Sequence, residues 1–414
     1  MITILHPKIL GILEEFHCGL LPLRDPDTQK IFLTVKAPKE TILTAKLKQE
    51  FYLYLVPAEV KEFTIHGIIT AFFDDFDEPL VITSPLFSDD DFTHMLIELM
   101  SEESFDVYFF DEHNREMLGY KVRNPESLNF REQSSEFKFA QFSYENAREH
   151  LNEMSQWFGL RCADDDDAAI KVQFLETIFP EDLFIMNLDP DLYHSQGQGA
   201  LMPTILERIE PGPLQEFDIL MLLKRVFPIS QIYLNPFRID ENTEFLDVLV
   251  VTEENALFIQ AKDSPNTAAI LARSMKRKIS TVVSQLEKAI KQMRGAIRHA
   301  DSGSHLKLMI NGEPCELSLE GKTTQCLIVI KELFDRERSC YSKMVLDLVG
   351  ETKTPCVVMD YPQLHNLSLF RGTEEGFFHA YHSVFEYGFR NGEFPKLRFG
   401  LVPDGDTEYT VTNC

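Results

Sequence analysis

Three residues carry groups that their surroundings make expensive: Asp247 inside the apolar run 245–251, and Gln260 and Lys262 at the end of the run 255–262. Both runs are rich in Val, Leu, Ile and Phe, which predicts two buried β-strands joined by a polar turn at 252–255. A carboxylate or ammonium on such a strand loses hydration unless it gains a partner or a metal. Strand side chains alternate, so Gln260 and Lys262 share one face while Ile259 and Ala261 point into the opposite layer. Asp247, on the neighbouring strand, can reach the Gln260 face. The reaction that fits is phosphodiester hydrolysis, which needs hydroxide near neutral pH and positive charge opposite the pentavalent phosphate. A divalent ion held by carboxylates and substrate phosphate meets both needs, and a lysine in a partly dry site adds fixed charge.

Other elements must hold these strands. Pro213 opens a helix over 213–227, stopped by Pro228. A strand is expected over 231–239, and a long, basic, amphipathic helical region over 267–300. A hairpin at Asn311-Gly312, a strand at 326–330, a helix at 342–348, a strand at 356–359 and an aromatic helix at 377–389 follow. The order α-β-β-β-α-β-α-β predicts an α/β fold, a mixed sheet flanked by helices.

Asp247, thirteen residues before Gln260-Ala261-Lys262 and preceded by Glu216 on a helix, resembles the PD-(D/E)xK nuclease superfamily. It is most similar to the Mrr-like and NERD-like branches, where the acid before x-Lys can be glutamine. The resemblance covers about residues 205–360. It implies a restriction-endonuclease-like sheet in which Asp247, Gln260, the Ala261 carbonyl and Glu216 hold Mg2+ or Mn2+. It also implies that Lys262 positions or activates the attacking water. Residues 244–247 read Glu-Phe-Leu-Asp where Mrr-like proteins usually carry glycines, so Glu244 either assists or lies on the surface. Glu207 and Glu210 compete with Glu216 for the helical role, and Gln285 stands where related nucleases place another polar site residue. The bland alternative makes Asp247 a strand-end hydrogen bonder and Lys262 a snorkelling surface lysine.

The chain has 414 residues and a net charge of −26. Residues 1–200 hold 16 Lys+Arg against 37 Asp+Glu, a net of −21, which leaves −5 for residues 201–414. That asymmetry predicts two domains with different work: a separate acidic α+β domain over 1–160, a partly structured linker over 161–203 with a short helix at 170–179, and the nuclease-like domain over 204–414. In the acidic part, 105–110 and 117–122 read as a hairpin, 92–100 and 144–158 as helices. The acid runs 74–78, 89–91 and 164–167 lack the alternation and central glycine of a calcium loop and read as solvated surface. Seven scattered cysteines without metal spacing point to reduced thiols in a cytoplasmic protein, and no segment reads as a signal peptide or membrane span.

From Lys262 to Lys307 ten cations face three acids, a net of +7 in an acidic chain. Arg273, Lys276, Arg277, Lys278, Lys288 and Lys291 could track a phosphate backbone, DNA being favoured over RNA. The same stripe could instead be a solvated face or a dock for the acidic half. His113 reads as an exposed turn residue. His379 and His382 lack a third ligand, and Ser342, Ser383 and Cys340 lack a nucleophile context. The expectation is a metal-dependent endonuclease with a regulatory or sensing N-terminal domain that takes a protein partner or trigger, with self-association left open. By analogy this is the layout of bacterial anti-phage defence proteins. The alternative is a nuclease fold that binds nucleic acid or protein without cutting.

Overall fold

The computed structural model describes residues 1–16, 18–60, 63–74, 79–186, 201–303 and 305–397. The acids at 75, 77 and 78, the polar run 194–200 and Cys414 lie outside them. The chain divides into two compact units: Met1–Ile185 with Pro203–Arg208 and Asn266–Ala272, and Met186–Met202, Ile209–Pro265 and Arg273–Cys414.

The first unit is α+β. Its strands are β1 (Gly19–Arg24), β2 (Ile31–Lys36), β3 (Glu50–Val60), β4 (Phe63–Phe72), β5 (Leu80–Pro85), β6 (Ser104–Phe110), β7 (Glu116–Arg123) and β8 (Ile170–Thr177). They form one sheet in the order β1-β2-β6-β7-β8-β3-β4-β5, antiparallel except for β2 against β6. One face carries a core shared with α3 (Lys39–Lys48), α4 (Asp91–Met100) and α5 (Ser127–Ser134). Separate clusters bury α6 (Tyr144–Gly159) and the N-terminal α1 (Ile2–Leu5) and α2 (Ile9–Glu15). A Cβ at Gly67 would fall 2.4 Å from the Met154 side chain, so the close approach of α6 to β4 requires glycine. Asp90 caps α4 by accepting from the Phe92 N–H.

Two expectations are corrected here. Residues 170–179 are not a helix: β8 is an interior strand of this sheet, because Ile170, Val172 and Phe174 alternate inward at period two. The first unit therefore runs past residue 160. The acid run 164–167 forms a single helical turn, α7 (Ala163–Asp167), and is solvated as expected. Two short strands, β9 (Phe184–Met186) and β10 (Leu201–Pro203), pair by themselves.

The second unit is built on a mixed sheet in the order β11-β14-β15-β18-β19: Ile232–Leu234, Val248–Val251, Asn255–Lys262, Thr323–Ile330 and Cys356–Asp360. β11, β14 and β15 run antiparallel, and β18 and β19 lie parallel to β15 and to one another. With α8 (Gly212–Leu223), α10 (Met275–Ala300) and α11 (Arg338–Thr352), the expected order α-β-β-β-α-β-α-β is the observed one. A second, four-stranded sheet branches off: β12 (Phe237–Arg238), β13 (Thr243–Glu244), β16 (His305–Ile310) and β17 (Glu313–Ser318). The β16–β17 turn is Asn311-Gly312, both at positive φ, as the sequence signals.

Local boundaries differ for identifiable reasons. The strand expected over 231–239 breaks at Asn235, which sits at φ 45° before Pro236. The helical region over 267–300 is two helices, α9 (Ala268–Leu271), which belongs to the first unit, and α10. Asp247 does not lie inside a strand but immediately before β14. α10 buries Val282, Leu286, Ala289, Ile290, Met293, Ala296, Ile297 and Ala300 along one stripe against β15 and β18. Truncating Leu286, Ile290, Met293 or Ile297 to Ala costs ~2–5 kcal/mol. α12 (Tyr361–Phe370) and α13 (Glu374–Asn391) complete the second layer, Phe227 packing on Phe377 and Phe378.

Candidate metal centre

Three elements of the second unit deliver carboxylates to one place. α8 presents Glu216, β13 presents Glu244, and the turn into β14 presents Asp247; one oxygen from each lies within 4.8 Å of the others. Each position has a local cause. Glu216 sits on the first turn and a half of α8, steadied by Asn235 Nδ2 donating to Oε2 at 2.8 Å. The Asn235 N–H in turn bonds the Asp247 carbonyl at 3.0 Å, so the kink after β11 links two of the acids. Glu244 arrives because the β12–β13 hairpin turns back just before Asp247.

Asp247 is 3 % exposed. Its Oδ2 accepts from the Ala261 N–H at 2.5 Å and from Lys262 Nζ at 3.3 Å. Lys262 Nζ also donates to the Ala261 carbonyl at 2.7 Å, and Gln215 Nε2 donates to the Lys262 carbonyl at 3.4 Å. The lysine is thus tied to the aspartate and to its own strand end rather than loose in solvent.

The electrostatics is that of a site short of positive charge. Burial raises the Glu216 pKa, with Asp247 adding to the rise while Asn235 and Lys262 oppose it. Glu244 is pushed up to about 7, by burial first and then by Asp247 and Glu216. Burial raises Asp247 too, against Lys262 and the Ala261 N–H. Asp247 thus penalises ionisation of Glu216, and both penalise that of Glu244, so the three offer hard oxygen donors suited to a divalent cation.

Gln260, 1 % exposed, has no hydrogen bond of normal geometry at its buried Nε2, though its amide lies near enough to Asp247 to oppose the rise of that pKa. It lines a cleft of about 100 Å³ with Glu244, Phe245, Arg238 and, from α10, Gln292, Gly295 and Ala296. Arg238 is held there by Asp240 at 2.9 Å and Glu241 at 2.8 Å. Gly295 is exposed, and a Cβ placed on it would meet nothing within 4 Å. A glycine inside a helix costs ~1 kcal/mol relative to alanine.

The remaining sequence candidates separate cleanly. Gln285 Nε2 donates to the Asp263 carbonyl at 2.8 Å and to Ser264 Oγ at 3.0 Å, fixing the chain that leaves Lys262. Glu207 is exposed, lies in the first unit and accepts from the Ala268 N–H at 3.4 Å; Glu210 is exposed and outside the carboxylate group. On α10, Arg277, Lys288 and Lys291 lie on one exposed stripe, opposite its buried face. Lys276 is exposed beside Arg277, Arg273 precedes the helix and Lys278 is half-buried. Arg294 and Arg298 are engaged by Glu351, each at 2.8 Å. Glu244 is the acid whose closeness to Glu216 and Asp247 sequence reasoning did not reveal. Its only signal was its place three residues before Asp247.

No protein-family model matches the chain, and no curated protein matches its sequence.

Proposed function

We propose that this protein is a metal-dependent nuclease that hydrolyses phosphodiester bonds of nucleic acid, most favourably DNA. The observation that carries this reading is the convergence of Glu216, Glu244 and Asp247, from three separate elements, beside Lys262. These carboxylates would hold Mg2+ or Mn2+, and the ion would supply a hydroxide at neutral pH and neutralise charge on the phosphate. Asp247 anchors the set, since its backbone and lysine contacts fix its orientation before any ligand arrives. Glu216 is oriented by Asn235. Lys262, held at the strand end, presents its ammonium to the developing negative charge without reorganisation. Gln215 and Gln285 fix the backbone on either side of it. The order of helices and strands in the second unit supports the resemblance to PD-(D/E)xK nucleases, and the basic stripe of α10 supports an anionic polymer as substrate.

Incubation of supercoiled plasmid and of RNA with the protein and Mg2+ or Mn2+, then with chelator, tests the proposal. Cutting should require the ion, and Asp247→Ala or Lys262→Ala should each reduce it by ~10³-fold or more with the fold retained. Cutting that survives both substitutions would defeat the site assignment. Salt-sensitive binding with no cutting under any condition would favour the alternative, a binding module.

A further inference from the structure

We propose that Gly295 is a substrate-approach position: a nucleic-acid strand packs its backbone against α10 at this residue, placing the phosphate next to the scissile one in the cleft beside Glu244 and Gln260. The inference rests on the nuclease reading and adds where the polymer runs. Some helix glycines have a packing reason. A Cβ on Gly388 would fall 2.2 Å from the Phe394 ring, so that glycine admits a neighbouring side chain. Gly295 has none. It lies about one and a half turns before the C-terminal end of a 26-residue helix, on the exposed side, with open space before it. Gly11 and Gly350 are open as well, but neither lines the cleft.

What distinguishes Gly295 is its location. It lines the cleft that also bears Glu244, one of the three gathered carboxylates, and Gln260, a buried amide with no hydrogen bond of normal geometry at its donor. On the helix it occupies the same stripe as Lys291, four residues before, and Arg298, three residues after. Extended toward the helix N-terminus, that stripe carries Lys288, Ser284 and Arg277, all exposed. Cations one turn to either side of a gap with no side chain suit a sugar-phosphate backbone, which needs charge along its path and closeness at one point. The cleft, about 100 Å³, has room for a phosphate. Arg298 is shared with Glu351 and Arg238 with two acids, so Lys291 is the stronger contact.

The test compares wild type, Gly295→Ala, Gly295→Gln and Lys291→Glu in the full chain. Thermal melting, Mn2+ binding by electron paramagnetic resonance, binding of a fluorescein-labelled DNA strand in chelator, and cutting of that strand are measured. Gly295→Ala should raise the melting temperature by ~2–4 °C, as relief of a helix glycine does. Gly295→Gln should bind Mn2+ as wild type does yet lose at least ~10-fold in kcat/KM. Lys291→Glu should weaken strand binding by ~10-fold and flatten its salt dependence. If wild type binds Mn2+ and cuts while Gly295→Gln cuts equally well, the approach position is wrong and the nuclease reading stands. If wild type neither binds Mn2+ nor cuts, both fall together.

Discussion

Glu116 of the first unit and the carboxylate group of the second are partnered in opposite ways. In the first, Glu116 is 2 % exposed and fully used: it accepts from the Ile2 N–H at 2.7 Å, the Thr3 N–H at 3.0 Å and the Thr3 hydroxyl at 2.6 Å, capping α1. Asp111 likewise accepts from the His113 and Arg115 N–H groups and from Arg115 Nε. In the second, Glu216, Glu244 and Asp247 crowd one another, with Asn235, Lys262 and one backbone N–H between them. A buried acid surrounded by donors stabilises its fold. Acids crowded on one another, of which only Asp247 is fully buried, carry a repulsion that protonation or a bound cation relieves. The three crowded carboxylates lie in the less acidic unit, so net charge is a poor guide to where acids converge.

Substitutions can break this contrast. The largest expected effect is the loss of cutting on Lys262→Ala, with ~1–3 kcal/mol of stability lost in urea as well, because the buried Asp247 keeps the Ala261 N–H but loses the ammonium opposite its charge. Glu116→Ala should lower stability by ~2–3 kcal/mol through stranded N–H donors while leaving cutting unchanged; an unaltered urea midpoint would contradict the capping role.

His150 sharpens the contrast in the first unit. Its ring is fully buried beside Phe87 with both nitrogens unpartnered, and burial, then His66, lowers its pKa to about 4. Between pH 6.5 and about 4 the unfolded chain binds the extra proton, so stability rises with pH across that window and is lost as pH falls through it. The loss should amount to ~2–3 kcal/mol, read from urea midpoints at a series of pH values, and His150→Leu should abolish that slope. Glu244→Gln should have a small effect on the fold and of the opposite sign: stability unchanged or raised by up to ~1 kcal/mol, discounted because the group is partly solvated. The same change should weaken Mn2+ binding at least ~10-fold by titration calorimetry. Smallest of all, Glu210→Ala should leave stability within ~0.5 kcal/mol and cutting untouched.

Much of the second unit was legible because its signals are local. Val, Ile and Leu runs mark β14, β15, β18 and β19, Asn311-Gly312 marks a hairpin, and Pro213 and Pro228 bracket a helix. Misreadings came where the signal is weak or the decision is tertiary. Ile170, Val172 and Phe174 alternate correctly for a strand, but the acid run before them resembles a linker, and only the sheet that β8 completes settles the matter. α9 reads continuously with α10, yet it belongs to the other unit.

For the site, Asp247 and Lys262 stood out from the sequence because each sets an ionisable group against an apolar context, a conflict that residue types alone reveal, whereas Glu216 was picked out only by the resemblance. Glu244 did not stand out, since a glutamate next to a turn has no conflict to reveal. The return of the β12–β13 hairpin brings it within 4.8 Å of two other carboxylates, while Glu207, an equal candidate on paper, goes to another unit. Sequence determines which groups are costly to bury. Where chain reversals place the groups that cost nothing is decided by tertiary structure, because those placements follow from pairings across long stretches of chain rather than from neighbours along it.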